Sequence, residues 1–252
     1  MQQIFDTHFH IIDPRFPVME NQGFLPPLFT VDDYKARTQG LGIAGGTVIA
    51  GSFQGTQSEY MYDALGAFGP TFVGVIQVPA TVTDEEILKL NAAGVRAVRF
   101  NLYRGGSAGI EDMDRLARRV HDLAGWHAEL YVDAAALESV FGIVSNLPAF
   151  SIDHLGMTQA GLPTLLKLAE RGAKVKATGF GRTEVDVPGA LRNLAHANPD
   201  CLMFGTDLPS QRARRPFLPS DIDLIRDTLG DALSRRVFWD NAAAFYRPSQ
   251  LS

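Results

Sequence analysis

The chain has 252 residues, 46% hydrophobic and 20% charged, with a formal net charge of −5, which excludes a disordered chain and gives no basic surface for nucleic acid. Its single cysteine, Cys201, excludes an internal disulfide and fits a reducing compartment. Residues 1–10 hold no basic leader with a long apolar stretch, and no apolar run approaches the ~20 residues that span a bilayer, so the expectation is a cytoplasmic protein with no membrane partner.

In chain order, short apolar runs alternate with segments of helical spacing. A strand over 4–10 precedes a helix over 31–39, a strand over 46–51 a helix over 59–68, and a strand over 72–78 a helix over 84–93. Thr83 before Asp84 and Glu86 resembles a capping-box start, and Gly40, Gly69, Gly94 and Gly172 fall where helices should end. Strands over 95–102, 128–133, 150–155, 174–178 and 202–207 follow. The helices between them are expected over 112–123, 135–146, 163–171 and 188–197. A helical tail over 221–246, broken near Gly230, would complete an outer ring. Strand–helix alternation implies right-handed crossovers and a parallel sheet. Eight repeats favour a closed (β/α)₈ TIM barrel in one domain, residues 1–252, since such barrels occupy about 250 residues. No G-x-G-x-x-G follows the first strand, which argues against a dinucleotide-binding sheet.

Three connections after strands are long, at residues 11–30, 103–110 and 208–220, and loops on that side form the catalytic face of such a barrel. The first strand ends Asp6-Thr7-His8-Phe9-His10. Regular alternation would put Asp6, His8 and His10 on one face, with both imidazoles at the mouth. The sixth strand ends Asp153-His154 and the eighth Thr206-Asp207, so a further His and Asp finish at the same level. Together His8, His10, His154 and Asp207 make an acid–base set or the ligands of a single metal ion. Asp6 reads as a supporting acid. His121, His127 and His196 read as surface or structural residues on or beside helices, and Cys201 as structural.

The chain resembles the amidohydrolase superfamily, nearest the branch of pyrone-dicarboxylate and sugar lactonases. The resemblance rests on Asp6-Thr7-His8-Phe9-His10, residues 95–101, Ile152-Asp153-His154-Leu155-Gly156, Gly205-Thr206-Asp207 and Asp240-Asn241-Ala242-Ala243, in that order along nearly the whole chain. It implies a barrel hydrolase acting at a carbonyl carbon, with the site at His8, His10, His154 and Asp207. Binuclear members add a Lys on strand four and a His on strand five; this chain has Arg99 and Asn101, then Tyr131 and Asp133, so no bridged metal pair is expected. Met157 stands where the dicarboxylate lactonases carry an Arg. The cofactor expectation is therefore none, or one Zn²⁺ or Mn²⁺.

The residue types give a mechanism. Asp207 takes a proton from water, and the three histidines polarise the carbonyl as hydrogen-bond donors or through a metal. Arg99, Arg104, Arg182 and Arg212 fall at or after strand ends and suit an anionic small-molecule substrate, with Arg99 foremost because it lies within a strand. Arg214 and Arg215 read as solvated loop charges, and Tyr103 and Tyr131 as further contacts. The leading reading is a lactonase for a small, carboxylated cyclic ester. A mononuclear metal-dependent decarboxylase or amidohydrolase is the alternative, and a non-catalytic binding barrel ranks last. Association into a homo-oligomer is left open by the sequence.

Overall fold

The structure, a computed structural model, describes residues 2–249; residue 1 and residues 250–252 of the expected domain lie outside the described residues. Eight strands form one parallel sheet in sequential order, β1 (Ile4–Phe9), β2 (Ile43–Ile49), β3 (Phe72–Ile76), β4 (Val95–Asn101), β5 (His127–Tyr131), β6 (Phe150–Ile152), β7 (Lys174–Ala177) and β8 (Leu202–Phe204). Around it lie α1 (Val31–Arg37), α2 (Glu59–Phe68), α3 (Asp84–Ala92), α4 (Ile110–Ala124), α5 (Phe141–Val144), α6 (Leu162–Glu170), α7 (Val187–Ala197), α8 (Ser220–Arg235) and α9 (Asn241–Tyr246). This is the expected (β/α)₈ barrel. Among the described residues no helix is long and apolar enough to cross a membrane.

The local chemistry behaves as the sequence implies at most ends. Thr83 accepts a bond from Glu86 N–H at the start of α3, and Gly172, with φ of 99°, follows the last residue of the α6 cap. The segment expected as one helix over 135–146 departs: a 3₁₀ run, Ala134–Val140, leads into only four α-helical residues. Its Val, Gly and Ile are poor helix formers, and Asp133 caps the 3₁₀ start by accepting from Ala135 N–H. The tail also departs from an outer-ring role. Helix α8 changes direction at Gly230, φ 72°. Helix α9 then buries Ala242 and Tyr246 against Phe5, Val73, Val75, Ala97 and Met203, the apolar layer inside the strands. The Tyr246 ring stacks on Phe5 with centroids 5.7 Å apart, so α9 plugs the barrel floor.

Along β4 to β7 the side chains alternate. Val98, Phe100, Ala128, Leu130, Ile152 and Val175 join the large core beneath the helices. Arg99, Glu129, Asp153 and Lys176 turn into the barrel and meet one another there. Strand β1 does not alternate regularly. Its pairing advances from Asp6↔Gly46 to Phe9↔Val48, three steps against two, which marks a bulge. Phe5 and His8 therefore both face inward, while Asp6 and Phe9 both meet Tyr34 of α1. The expected shared face of Asp6, His8 and His10 is corrected accordingly: Asp6 faces outward.

Asp6 closes the barrel. Its carboxylate accepts from Thr206 N–H at 2.8 Å, Thr206 Oγ1 at 2.7 Å and Tyr34 Oη at 2.9 Å. Beside it Thr7 Oγ1 donates to Phe204 O at 2.8 Å, Asp207 N–H to His8 O at 2.7 Å and His10 N–H to Leu208 O at 2.8 Å. Burial raises the Asp6 carboxyl to about 6 despite these bonds. Tyr34→Phe, which removes one donor, should cost about 1 kcal/mol. Asp6→Ala strands four buried donors, Thr206 N–H and Oγ1, Tyr34 Oη and His8 N–H, and should cost about 3–5 kcal/mol. Urea unfolding of both variants checks the ranking; equal losses would mean that the seam does not depend on Asp6.

Candidate active site

The β-strands end in turns that carry the expected residues inward. His8 and His10 stand at the end of β1 beyond the bulge. His154 follows β6, where regular alternation would turn Asp153 inward and His154 outward. Left-handed backbone at His154 (φ 52°) and Leu155 (φ 51°) swings the imidazole back over the mouth. Asp207 is likewise left-handed, φ 59°. All four are buried. The His8 ring lies 5.2 Å from that of His10 and 4.8 Å from that of His154, and His8 Nε2 lies 3.8 Å from Asp207 Oδ1. The four residues converge, as the sequence implies.

Above them is a cavity with about 440 Å³ of empty space, lined by His10, His154 and Asp207 and by Arg99, Arg104, Arg182 and Arg212. His8 sits just below its floor. The arginines divide into two pairs. Arg182 is committed to Asp207, donating through Nε at 3.0 Å and Nη2 at 2.7 Å to Oδ2, and also to Gln211 O. Arg99 points its terminal nitrogens at Asp153 Oδ2, 2.8 Å away, and Ala50 O. Arg99, expected as the foremost anion ligand, lines the cavity but donates through both terminal nitrogens to protein acceptors and leaves Nε without a hydrogen-bond partner. Arg104 and Arg212 stand at the rim: Arg104 over Tyr103, Arg212 over Phe24 at 4.3 Å. Tyr131 reaches the cavity with a buried hydroxyl; Tyr103 is 44% exposed and stacks behind it. Arg214 and Arg215 pair with Glu184 and Asp221 outside the cavity.

Beneath the histidines lies a layer of buried charge whose acidic and lysine members the sequence reading did not place in the site. Lys176 contacts Glu129 at 2.5 Å, Asp153 at 3.4 Å and His8 Nδ1 at 3.3 Å, and Arg99 Nε lies 3.8 Å from Glu129. The signal was available: Glu129 and Lys176 are charged residues in the middle of apolar parallel strands. Such charges are buried only when paired. Burial pushes Glu129 up against the pull of Lys176. Burial also opposes ionisation of Asp153, but Lys176, His8 and Arg99 outweigh it and hold that carboxyl down. His127 begins β5 and lies buried against Phe245 and Tyr246 of α9 at the barrel floor, a structural position beside a helix.

The site chemistry follows from protonation. Burial, with the neighbouring Arg99 charge, lowers His10 to about 3, and burial likewise keeps His8 and His154 neutral. His10 Nδ1 lies 2.8 Å from Ile49 O, a carbonyl that can only accept, so the proton is on Nδ1 and Nε2 holds a lone pair. This corrects the expectation for His10 as an oxyanion donor: it accepts from water or binds a metal. Burial raises Asp207 above the usual carboxylate range, against the opposing charge of Arg182.

His8, His10 and Asp207 bring one donor atom each within 4.8 Å of one another. His8 Nε2 and Asp207 Oδ1 are buried without protein partners. These donors fit a single divalent ion. His154 is not in that group; it clusters instead with His8 and Asp153.

Comparison with known proteins places this geometry. The family model described as amidohydrolase matches residues 5–247. The chain is 28% identical over 270 residues to the 4-sulfomuconolactone hydrolase of Rhizobium radiobacter, covering 96% of this chain and 89% of the relative. It is 26% identical to the 2-pyrone-4,6-dicarboxylate hydrolase of Comamonas testosteroni, covering 98% and 90%. It is 26% identical to the D-galactarolactone isomerase of Agrobacterium fabrum (strain C58), covering 97% and 91%.

Lys176→Met leaves Glu129 and Asp153 with one shared cation, Arg99, where they had two, and should cost about 3–5 kcal/mol of stability. Adding Glu129→Gln should recover part of that loss. Chemical denaturation of the single and double variants measures the coupling; strictly additive losses would show that the charge layer is not one unit.

Proposed function

The chain belongs to the amidohydrolase family, and we propose from that premise that it is a lactonase, opening a small, carboxylated cyclic ester with water activated by Asp207. The observation that carries the reading is the pairing of unsatisfied buried atoms under an arginine-lined cavity. Arg182 engages Asp207 through Oδ2 and leaves Oδ1 free beside His8 Nε2, 3.8 Å away. A water placed there gives a proton to Oδ1 while its oxygen attacks the lactone carbonyl carbon. His10 Nε2, fixed as an acceptor, orients the second water hydrogen. His8 and His154 face the oxygen on which charge develops. The ring C–O bond then breaks, and Asp207 returns its proton to the leaving oxygen.

The same donors would hold one Zn²⁺ or Mn²⁺ at His8, His10 and Asp207, and such an ion supplies Lewis-acid polarisation of the carbonyl when bound. The arginines give the substrate its charge: Arg104 and Arg212 at the rim present guanidinium forks that match carboxylates. Two relatives are named for hydrolysis of acid-bearing lactones, in line with this reading. We take the whole chain as one catalytic unit acting in the cytoplasm.

A panel of carboxylated and neutral lactones, followed by ring-opened acid, tests the reading. Release of CO₂ in place of ring opening would favour the decarboxylase. Asp207→Asn keeps the shape but cannot take the proton, and should lower kcat by about 10³-fold or more with the far-ultraviolet circular dichroism unchanged. Gly179 adopts φ +63°, and a Cβ there would lie 2.5 Å from His154 Nδ1. Gly179→Ala should therefore displace His154 and cost about 10²-fold in kcat. Metal analysis of active enzyme should find at most one equivalent of Zn²⁺ or Mn²⁺; two required equivalents would overturn the mononuclear assignment.

A further inference from the structure

Among the described residues, the buried donor atoms at the strand ends form two groups that share His8. The mouth group is His8, His10 and Asp207. The inner group is His8, Asp153 and His154, again with one donor atom from each within 4.8 Å of the others. All three inner residues are buried, and Asp153 Oδ1, His154 Nδ1 and the neighbouring Glu129 Oε1 have no hydrogen-bond partner. His8 Nδ1 lies 3.4 Å from Asp153 Oδ1 and 4.0 Å from Glu129 Oε1. Donors set tetrahedrally around one zinc ion stand about 3.4 Å apart, so the inner spacing is close to that of a metal site.

A cation already stands there. The Lys176 ammonium, carried in from β7, lies 2.5 Å from Glu129 Oε2, 3.3 Å from His8 Nδ1 and 3.4 Å from Asp153 Oδ1. Its side chain is fully buried. An ammonium and a divalent ion need the same anionic oxygens, and like charges a few ångströms apart inside a protein repel strongly. Lys176 and Arg99 balance Glu129 and Asp153, so the layer has no net negative charge to draw in a further ion. His8 makes the choice between the groups matter. A neutral imidazole has one lone pair, so an ion held on Nδ1 would leave Nε2 protonated and take His8 out of the mouth group.

We propose that Lys176 is a built-in cation that fills the inner donor group, excludes a divalent ion from it and so keeps His8 Nε2 for the mouth. It is a positioning residue, since it acts through His8. This role depends on the inner geometry and not on the lactonase reading, so binding measurements test it without turnover. Removing the lysine side chain beyond Cβ leaves a space lined by Glu129, Asp153 and His8 with one uncompensated negative charge, which a divalent ion can fill. A lysine that only supported the fold would leave no metal site behind.

Zn²⁺ bound at equilibrium dialysis, counted by elemental analysis, gives the test. Asp207→Asn removes a ligand of the mouth group, and at about 1 µM free Zn²⁺ this variant should hold almost no ion. Asp207→Asn with Lys176→Ala should hold one equivalent at the same concentration. Adding Asp153→Asn to that pair should weaken its Zn²⁺ binding by about 100-fold, because the inner group loses its carboxylate. Zn²⁺ should also raise the urea midpoint of the double variant and leave that of Asp207→Asn unchanged. A double variant that folds only with Zn²⁺ present would be the same result in stronger form. No more Zn²⁺ in the double variant than in Asp207→Asn would overturn the proposal, and so would a gain that Asp153→Asn does not remove. Zn²⁺ held by Asp207→Asn alone and lost on adding Asp153→Asn would overturn it as well, since the inner group would then be open with Lys176 in place. Failure of the double variant to fold with and without Zn²⁺ would do the same, because an ion in the inner group replaces the lost cation.

Discussion

The Asp6 carboxylate, which ties β1 to Thr206 beyond β8, is the contact on which the rest of the molecule depends. A parallel barrel needs its first and last strands joined, and here β8 has only three strand residues. The seam is therefore made partly by side chains. The bulge that turns Asp6 outward to Thr206 and Tyr34 also turns His8 and His10 inward. The same stretch gives Asp207 N–H its acceptor at His8 O. Closure of the barrel and assembly of much of the reactive cluster are one geometric event, which explains why His8, His10 and Asp207 sit at the ends of the two strands that meet.

The second constraint is charge inside the barrel. Arg99, Lys176, Glu129 and Asp153 come from four adjacent strands and are almost completely buried. Buried ions are costly unless paired, so each fixes the position of the others. This layer separates the apolar floor, plugged by Tyr246, from the histidines above. It also gives His8 Nδ1 two neighbours of opposite charge, Lys176 and Asp153. The histidine ring is held from below, leaving Nε2 toward Asp207. Arg182 does the corresponding work on Asp207, taking one carboxylate oxygen and leaving the other.

The family premise and the cavity agree on chemistry but act at different levels. A barrel with inward His and Asp residues at strand ends is a general device for attack on a carbonyl. Above that device lies the rim, where Arg104, Arg212 and Phe24 come from three different loops. Those loops contribute most of what a substrate meets first, and the strands beneath contribute the groups that react with it.

The periodicity of the sequence determined the eight strands, most of the helices and the catalytic face, because buried parallel strands and amphipathic helices leave patterns that depend only on near neighbours. It also determined His8, His10, His154 and Asp207 as strand-end residues, since polar groups closing apolar runs stand out locally. The tertiary structure decided the rest. The bulge reversed Asp6 through pairing with β2 and β8. Left-handed backbone brought His154 inward where alternation would have turned it away. The commitment of Arg99 to Asp153 depended on β6, 54 residues later in the chain. Lys176 and Glu129 looked like isolated charges until adjacent strands placed them in contact. Helix α9 left the ring because Tyr246 found Phe5 at the barrel floor. Except at His154, where the local backbone turns, the deciding partner is distant in sequence, and a one-dimensional pattern carries no record of which distant group will satisfy a buried charge, ring or hydrogen-bond donor.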